Sequence, residues 1–463
     1  MPDTLVIYLP KLVILGFIMA FGASVGSLVN VLVYRLPLGL DVVSPTSRCP
    51  KCNTKLTWRE NIPVFGWIFL GGKCRFCKDK ISPEYPIVEA IVAVLFGLLY
   101  TMCYLVSDNA TLFGLAIKPE WALNGAAMTW PTLVILFILM GSLVAMTIID
   151  ARTFTIPLVL TWVPAIVALL FHTGHAVWFE ISRGQLTPVM EGYWNFTDSR
   201  DRWITAPRTT WTIPTPSFDS WRFIGIMLGA TLGLGISNLL LKFKVLTHSF
   251  ADYEQWLEKH NKDLSESLED PEKAPEHNDA QDWIMYPYAR REMIRELAFL
   301  APVAVFGLIG GWLSVTLVTN IGGDWAFNPS TGQMIPPFQA PLWLVVLSGV
   351  LAGYLIGGGV VWAIRILGSL LFNKEAMGLG DVHMMAAVGA CMGWIDATLA
   401  FFLAAFVALG IAALGALGKG KLARAMPYGP SLAIATLLLL FAKPLVEWGL
   451  GKILGMDAPY NLP

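Results

Sequence analysis

Long apolar segments constrain this chain more than any other feature of its sequence. Hydrophobic residues make up 55% of its 463 positions and charged residues only 14%. The apolar residues are grouped into segments of about 20, the length that an α-helix needs to cross a bilayer. This pattern excludes an ordinary soluble domain and indicates an all-α polytopic membrane protein. The lipid bilayer is therefore an expected partner, and nothing in the sequence suggests a nucleic-acid surface.

The apolar segments predict about ten transmembrane helices, of which the eighth is short. They are placed at residues 11–33, 87–106, 129–149, 157–173, 222–241, 296–318, 340–371, 383–394, 396–416 and 428–449. The first is longer than the apolar part of a signal peptide, and no basic segment precedes it. We therefore expect it to be retained as a membrane helix.

Basic residues predict the orientation of these helices. Residues 34–86 contain nine Lys and Arg, so the positive-inside rule places this segment in the cytoplasm. The short basic loop Lys419–Arg424 falls on the same side when the helices are counted alternately. The two signals agree, and they place the N-terminus outside.

This topology divides the chain into six predicted parts. The parts are a first helix (1–33), a small cytoplasmic domain (34–86), a first set of membrane helices (87–173), a Trp-rich extracytoplasmic insertion (174–221), an inserted helix pair (222–318) with a charged cytoplasmic loop (242–295), and a last set of membrane helices (340–463). Within the charged loop, the acidic stretch Glu266–Glu276 favours a linker over a packed core.

Four cysteines in the predicted cytoplasmic domain have the spacing of a metal site. Cys49 and Cys52 form one Cys-x-x-Cys pair, and Cys74 and Cys77 form a second after 21 intervening residues. Two such turns can supply the four thiolates of a tetrahedral zinc ion, which then has no open position for catalysis. Two disulfides or free thiols are the alternatives, but the reducing cytoplasm favours structural zinc.

Two aspartates are the candidate catalytic residues. Asp150 ends the apolar segment 133–149, and Asp381 ends the segment Met377-Gly-Leu-Gly-Asp381 before a short apolar run. Taken singly, Asp150 could cap the next helix or face water. Counting helices, however, places both acids on the cytoplasmic side, at one depth of the membrane. Gly378 and Gly380 would support a tight turn that lets another helix approach closely.

A pair of aspartates at one depth can hydrolyse a peptide without a metal or a covalent intermediate. When two carboxyl groups share a site, one stays protonated while the other is ionised. The ionised group can take a proton from water, and the protonated group can polarise the scissile carbonyl. The proton belongs to the pair, so the two roles are not assigned to individual residues.

Eight short motifs, in order along the chain, resemble the type IV prepilin peptidase family, whose members are GxGD-type membrane aspartyl proteases. They are Gly26–Pro37, Ser47–Cys52, Glu60–Val64, Gly72–Cys77, Ile81–Glu89, Asp150–Pro157, Gly378–Asp381 and Ala425–Pro430. The resemblance covers most of the chain outside the two insertions. His383 differs from the family, which commonly has lysine there, and the helix pair in 222–318 is additional.

The resemblance implies a specific activity. Such enzymes remove the basic leader of type IV prepilins or type II secretion pseudopilins at the cytoplasmic face of the bacterial inner membrane. Many also methylate the new N-terminus with S-adenosylmethionine, although a peptidase without this activity is an alternative. Asp150 and Asp381 match the catalytic motifs. Four polar residues are cofactor candidates that could equally serve the fold: Glu60, Asn61, Tyr85 and Glu89.

Two other classes of protein compete with this interpretation. An ion-coupled transporter would also carry membrane acids, but such acids usually lie near the bilayer midplane. A presenilin-like intramembrane protease would share the Gly-x-Gly-Asp turn. The cysteine pairs and the segment Glu60–Pro63 argue against the second class.

Overall fold

The structure is a computed structural model that describes most of the predicted membrane segments. The described residues are 2–43, 47–49, 51–112, 115–122, 125–182, 218–253, 255–256, 258–259, 288–323, 326–328, 333–335, 340–373, 375–419, 427–453 and 455. Most of the Trp-rich insertion, the acidic stretch Glu266–Glu276 and most of the basic loop Lys419–Arg424 therefore lie outside the described residues. The predictions for these segments stay predictions.

Helices form nearly all of the described structure. They are α1 (Pro2–Arg35), α2 (Phe65–Phe69), α3 (Glu84–Tyr100, continued by a π-helical turn at Thr101–Leu105), α4 (Ala126–Thr153), α5 (Leu158–Ser182), α6 (Phe218–Lys242), α7 (Ala289–Gly322), α8 (Leu342–Phe372), α9 (Leu379–Met392), α10 (Trp394–Lys419) and α11 (Gly429–Ile453). Two small antiparallel hairpins are formed by β1 (Thr111–Leu112) with β2 (Leu115–Ala116) and by β3 (Ala326–Asn328) with β4 (Gln333–Ile335).

The apolar helices confirm the predicted fold class. Among the described residues, nine helices are long and apolar enough to cross a membrane, and α9 is a shorter apolar helix. Together they correspond to the ten predicted segments, including the short eighth one. The chain is therefore a multi-pass membrane protein, with a cysteine cluster between its first two long helices.

Several helices extend beyond their predicted ends. Residues 174–182, predicted as the start of the Trp-rich loop, continue α5, and residues 289–295, predicted as the end of the charged loop, begin α7. In α7 the charged residues are satisfied locally, because Arg295 donates to Glu292 one turn earlier. Apolar length alone could not find this extension, because its first turns are too polar to count as membrane-spanning.

The chain forms two compact units. Unit 1 comprises residues 1–215, 340–358 and 380–463, and unit 2 comprises residues 216–339 and 359–379. In unit 1, α1 packs closely on α3, because a Cβ at Gly26 would lie 2.6 Å from the Cα of Glu89. The start of α8 packs on α9 in the same way, through Gly353 and Gly389. Small residues are typical of such contacts between membrane helices.

Unit 2 is built on the helix pair α6 and α7. Added Cβ atoms at Gly225, Gly229 and Gly233 would lie 2.1 to 2.3 Å from backbone oxygens of α7, so only glycine fits at these three positions. The three glycines are four residues apart and therefore share one face of α6. The inserted helix pair thus forms its own close interface, to which the end of α8 adds a third helical segment.

Candidate active site and metal centre

Asp150 lies in the last turns of α4, where the chain reverses direction. Phe154 ends the helix in the left-handed conformation, with a φ of 53°, and its N–H donates to the Asp150 carbonyl at 2.9 Å. The chain then passes through Pro157 into α5, as the sequence predicted. The Asp150 side chain is only 6% exposed.

Gly429 contacts the Asp150 carboxylate directly. Its backbone N–H donates to Asp150 Oδ2 at 3.0 Å. Gly429 is the first residue of α11, where free N–H groups and the helix dipole favour a negatively charged partner. A Cβ at this position would lie 2.6 Å from the same oxygen. Because glycine has no Cβ, the Asp150 carboxylate can occupy this space.

Asp381 lies in the first turn of α9 and is 8% exposed. The preceding Gly380 faces the turn that follows Asp150, because a Cβ on Gly380 would lie 2.9 Å from the Cβ of Ile156. Gly380 thus lies inside α9 and approaches the segment between α4 and α5, whereas the sequence predicted the approach of another helix. Gly378 precedes the helix and is exposed.

The start of α11 is also near Asp381. Tyr428, immediately before Gly429, lies within electrostatic range of Asp381, and its hydroxyl donates to the Phe401 carbonyl at 3.3 Å. Gly429 thus contacts Asp150, and Gly380 brings the start of α9 against the segment after Asp150, although these helices are far apart in sequence. Unit 1 brings the end of α4, the start of α9 and the start of α11 to one place.

The four predicted metal ligands form a compact cluster. The Sγ atoms of Cys49, Cys52, Cys74 and Cys77 all lie within 4.8 Å of one another. The Cys49 and Cys77 sulfurs are 3.9 Å apart, close to the sulfur separation of about 3.8 Å that tetrahedral zinc with Zn–S bonds of about 2.3 Å requires. All four are free cysteines. The cluster could therefore hold a metal ion, and the donor set fits zinc.

The two cysteine turns repeat the same backbone pattern. Asn53 N–H donates to the Cys49 carbonyl at 2.9 Å, and Lys78 N–H donates to the Cys74 carbonyl at 3.0 Å. Asn53 and Lys78 both have left-handed φ angles, of 55° and 61°. Hydrogen bonds from Thr54 lower the pKa of Cys52 to about 6. Despite a backbone hydrogen bond from Asp79 that lowers it, the pKa of Cys77 is raised to about 11 by desolvation and the neighbouring sulfurs. The geometry of the cluster, rather than these pKa values, is therefore what fits a metal ion.

The predicted cofactor candidates lie around one turn beside the cluster. Glu60 Oε2 accepts the Thr57 N–H at 2.7 Å, and this bond holds the pKa of Glu60 below its usual value. Glu89 Oε2 accepts the Val64 N–H at 2.6 Å. Two of the four candidates therefore fix the turn at residues 57–64 through their carboxylates, which is the structural role left open by the sequence.

The other two candidates are engaged through their backbones. Asn61 N–H donates to the Thr57 carbonyl at 3.2 Å. The Tyr85 carbonyl accepts the Asn30 side-chain amide at 3.1 Å, while the Tyr85 side chain is 44% exposed. Their side chains are thus the more accessible part of this candidate site.

Tyr428 and Gly429 were not singled out as site residues from the sequence. The signal was the turn segment Pro427-Tyr-Gly-Pro430 before the last apolar run, because proline and glycine mark a helix start. This signal predicts where α11 begins, but it does not show which side chain the helix start contacts.

Comparisons with known proteins identify relatives of part of the chain. Residues 20–103 match the family described as Bacterial Peptidase A24 N-terminal domain. The chain is 45% identical over 80 residues to the prepilin leader peptidase/N-methyltransferase of Myxococcus xanthus, covering 17% of this chain and 24% of the relative. It is 38% identical over 105 residues to the protein of the same name from Klebsiella pneumoniae, covering 21% and 45%.

A longer match is to the prepilin leader peptidase/N-methyltransferase of Dickeya chrysanthemi, 31% identical over 175 residues, covering 33% of this chain and 53% of the relative. The chain thus spans about half or less of the length of these relatives. No solved structure matches significantly. The predicted resemblance to the prepilin peptidase family is confirmed.

Proposed function

We propose that this chain is a membrane aspartic endopeptidase that removes the basic leader of type IV prepilins or type II secretion pseudopilins. Asp150 and Asp381 are its catalytic pair. Two contacts carry this proposal: Gly429 donates a hydrogen bond to Asp150, and Gly380, next to Asp381, packs on Ile156 in the segment that follows Asp150. The names of the relatives supply the substrate class.

The reaction follows from two carboxyl groups that share one proton. The ionised aspartate takes a proton from a water molecule, which attacks the scissile carbonyl. The protonated aspartate donates a hydrogen bond to the carbonyl oxygen and stabilises the developing negative charge. Gly429 contributes by orienting Oδ2 of Asp150, so that this carboxylate need not reorganise during the reaction.

The decisive experiment substitutes each aspartate by asparagine, which keeps the shape and removes the acid. Asp150→Asn and Asp381→Asn should each reduce cleavage of a purified prepilin at least about a thousandfold, because neither variant can complete the proton transfers. Cleavage is measured by mass analysis of the products, and folding by thermal melting in detergent.

Asp396→Asn is the matched control for these variants. Asp396 is also a buried membrane acid, 4% exposed, but it pairs with Lys443 at 3.1 Å. Asparagine keeps an acceptor for this lysine, so cleavage should persist. Substantial cleavage by folded Asp150→Asn or Asp381→Asn would contradict the proposed mechanism.

The proposed orientation places the acids at the cytoplasmic face. The substrate's apolar helix could then stay in the bilayer while its leader reaches the acids. Alkaline phosphatase, which is active only outside the cytoplasm, tests this topology when it is inserted in either long insertion. Activity is expected for insertion within 183–217 and absent for insertion within 260–287, and the reverse pattern would contradict the orientation.

N-methylation of the new N-terminus is the second part of the proposed function. It is supported by the names of the relatives, which combine peptidase and N-methyltransferase. S-adenosylmethionine would supply the methyl group. Glu60 and Glu89 would act by holding the turn at 57–64 in place, and Asn61 and Tyr85 have the side chains left for the cofactor.

Labelled S-adenosylmethionine separates the bifunctional enzyme from a peptidase alone. The purified protein is incubated with a prepilin and the labelled cofactor, and the new N-terminus is analysed by mass. Label on the cleaved N-terminus is expected. Complete cleavage without label would assign the chain to the peptidase-only alternative.

We also propose that zinc occupies the cysteine cluster in a structural role. Four thiolates would complete the coordination of the ion, so it has no position for a reacting water. Its contribution is to the fold of the segment between α1 and α3.

A further inference from the structure

A buried arginine lies outside the proposed catalytic pair. Arg365, near the end of α8, is 1% exposed. Its Nε donates to Glu296 Oε1 at 3.0 Å and its Nη1 donates to Glu375 Oε1 at 2.6 Å. Nη1 also donates to the Met377 carbonyl. One guanidinium group therefore joins a helix of the inserted pair to the segment after α8.

Glu296 is built into this site by a second donor. It is 3% exposed and lies on α7, where its Oε2 accepts the Trp362 indole N–H at 2.8 Å. The Trp362 ring contacts Phe299, with ring centroids 5.4 Å apart. Each Glu296 oxygen thus has its own donor from α8. A buried charge needs such partners, and Glu296 and Arg365 supply them for each other.

The glycine interface of unit 2 fixes the position of Glu296. Added Cβ atoms at Gly229 and Gly233 would meet backbone oxygens of α7 at 2.1 and 2.3 Å. Ser237, one turn further along α6, donates to the Phe299 carbonyl at 2.6 Å. The part of α7 that carries Glu296 therefore packs tightly against α6, and it provides Arg365 with a rigid partner.

The segment held by Arg365 connects α8 to the start of α9. It runs from Asn373, which has a left-handed φ of 51°, to Gly378. Ala376 N–H also donates to the Ser369 hydroxyl at 3.1 Å. Only three residues separate Met377 from Asp381 in the sequence Met377-Gly-Leu-Gly-Asp381. A displacement of the Met377 carbonyl would therefore reach Asp381 through a very short piece of chain.

We propose that Arg365 is a positioning residue for the Gly-Leu-Gly-Asp segment, and that the inserted helix pair supplies Glu296 as its counter-charge. The proposal rests on the assignment of Asp381 as a catalytic acid. Its physical basis is the sensitivity of catalysis to placement, because a shift of about 1 Å in a reacting group can cost about a hundredfold in rate. The inserted pair would then belong to the peptidase mechanism rather than being a passive addition.

Arg365→Lys tests the proposal while it keeps the positive charge. Lysine has one nitrogen and cannot reproduce the planar fork that reaches Glu296 and the Met377 carbonyl together. We expect kcat for prepilin cleavage to fall about 10- to 100-fold, with KM unchanged. Hydrogen exchange of residues 373–380 should become faster.

Arg291→Lys is the matched control, since it makes the same substitution on α7. Arg291 binds Asp252 at 2.7 Å and Glu292 at 3.0 Å, and it is 44% exposed. The kcat of the Arg291→Lys variant and the hydrogen exchange of its residues 373–380 should stay at the wild-type values. An equal fall of kcat in both variants would show a general effect on the helix pair and would overturn the proposal.

Glu296→Gln approaches the same contact from α7 and keeps the test valid if Arg365→Lys folds poorly. Glutamine keeps an acceptor oxygen but removes the counter-charge, so kcat should fall in the same direction at constant KM. Wild-type kcat in folded Arg365→Lys or Glu296→Gln would overturn the positioning role. Asp381→Asn separates this failure from a failure of the proposed function, because active Asp381→Asn would remove the catalytic assignment itself.

Discussion

Buried carboxylates are held differently in the two units of the molecule. In unit 1, three of them accept hydrogen bonds from backbone N–H groups: Asp150 from Gly429, Glu89 from Val64 and Glu180 from Leu342. A fourth, Asp396, pairs with Lys443. In unit 2, two of them pair with arginines: Glu292 with Arg291 and Arg295, and Glu296 with Arg365.

Asp150 is thus held by a backbone N–H, whereas Glu292 and Glu296 are held by arginines. Breaking a buried pair of a carboxylate and an arginine leaves a buried charge without its partner. A carboxylate held by one N–H has a second oxygen for water or substrate, as the proposed role of Asp150 requires. We therefore expect substitutions in unit 2 to act first on stability or placement, and substitutions around Asp150 to act first on the reaction.

Substitution of a cluster cysteine should have the largest effect on folding, and this effect should be confined to unit 1. Cys74→Ser should lose the bound metal and unfold residues 47–80, because a four-thiolate site contributes on the order of 10 kcal/mol to the folding of such a segment. Metal content per protein and hydrogen exchange measure the two effects, and α6 and α7 should keep their protection.

Cys103→Ala is the control for the cluster. Cys103 is a buried cysteine in the π-helical turn and does not belong to the cluster, so the metal should remain. Purified protein that lacks metal and has all four cluster cysteines in disulfides would favour the alternative left open by their spacing.

The ion pair of unit 2 should show the next largest effect. Glu296→Ala leaves Arg365 buried without one of its partners, so the free energy of unfolding should fall by about 3–5 kcal/mol. Glu89→Ala in unit 1 removes the hydrogen bonds that Glu89 accepts from the Val64 N–H and the Ser27 side chain, and it should cost about 1–3 kcal/mol. Denaturant unfolding in detergent measures both, with exposed Glu258→Ala as the control. Equal losses for Glu296 and Glu89 would contradict the contrast between the units.

Gly429→Ala tests the contact that distinguishes Asp150. The new Cβ would lie 2.6 Å from Asp150 Oδ2, so the carboxylate must move. We expect kcat to fall about a hundredfold, equivalent to about 2.7 kcal/mol, with little change in thermal stability. Gly449→Ala, in the same helix with open space around it, should have wild-type kcat. Wild-type kcat in Gly429→Ala would show that this contact does not position the acid.

The smallest effect is expected at the surface of unit 1. Arg152 lies two residues after Asp150 and pairs with Glu84, and the two side chains are 48% and 47% exposed. Arg152→Met should change the free energy of unfolding by about 1 kcal/mol or less. An exposed ion pair is only slightly more stable than the same two side chains hydrated separately. Thermal melting at low and high salt checks this. A loss as large as that of Glu296→Ala would show that solvent exposure does not rank the ion pairs.

Most of the apolar helices could be predicted from the sequence, because the length of an apolar segment is a local property. The ten predicted segments correspond to α1, α3 to α11, and even the short α9 was expected. The predicted boundaries were less accurate where polar residues continue a helix. The first turns of α7 are stabilised by Arg295 and Glu292, a pair that an apolar pattern does not detect.

The candidate site was predictable in part for the same reason. The Cys-x-x-Cys spacing predicts a ligand set, since each pair forms a local turn, and the cluster geometry agrees with it. Counting helices predicts that Asp150 and Asp381 lie on one face of the membrane, and this stays a prediction. The position of Gly429 beside Asp150 could not be found in this way, because alternate counting gives the side of the membrane but not the neighbours within it.

The sequence alone determined which segments are long and apolar enough to cross a membrane, which cysteines can share a metal and which acids are candidates for catalysis. The tertiary structure decided what holds those acids and charges. Gly429 is 279 residues from Asp150, and Arg365 is 69 residues from Glu296. These partners meet only when helices pack, because packing depends on the shapes of both surfaces rather than on either segment by itself.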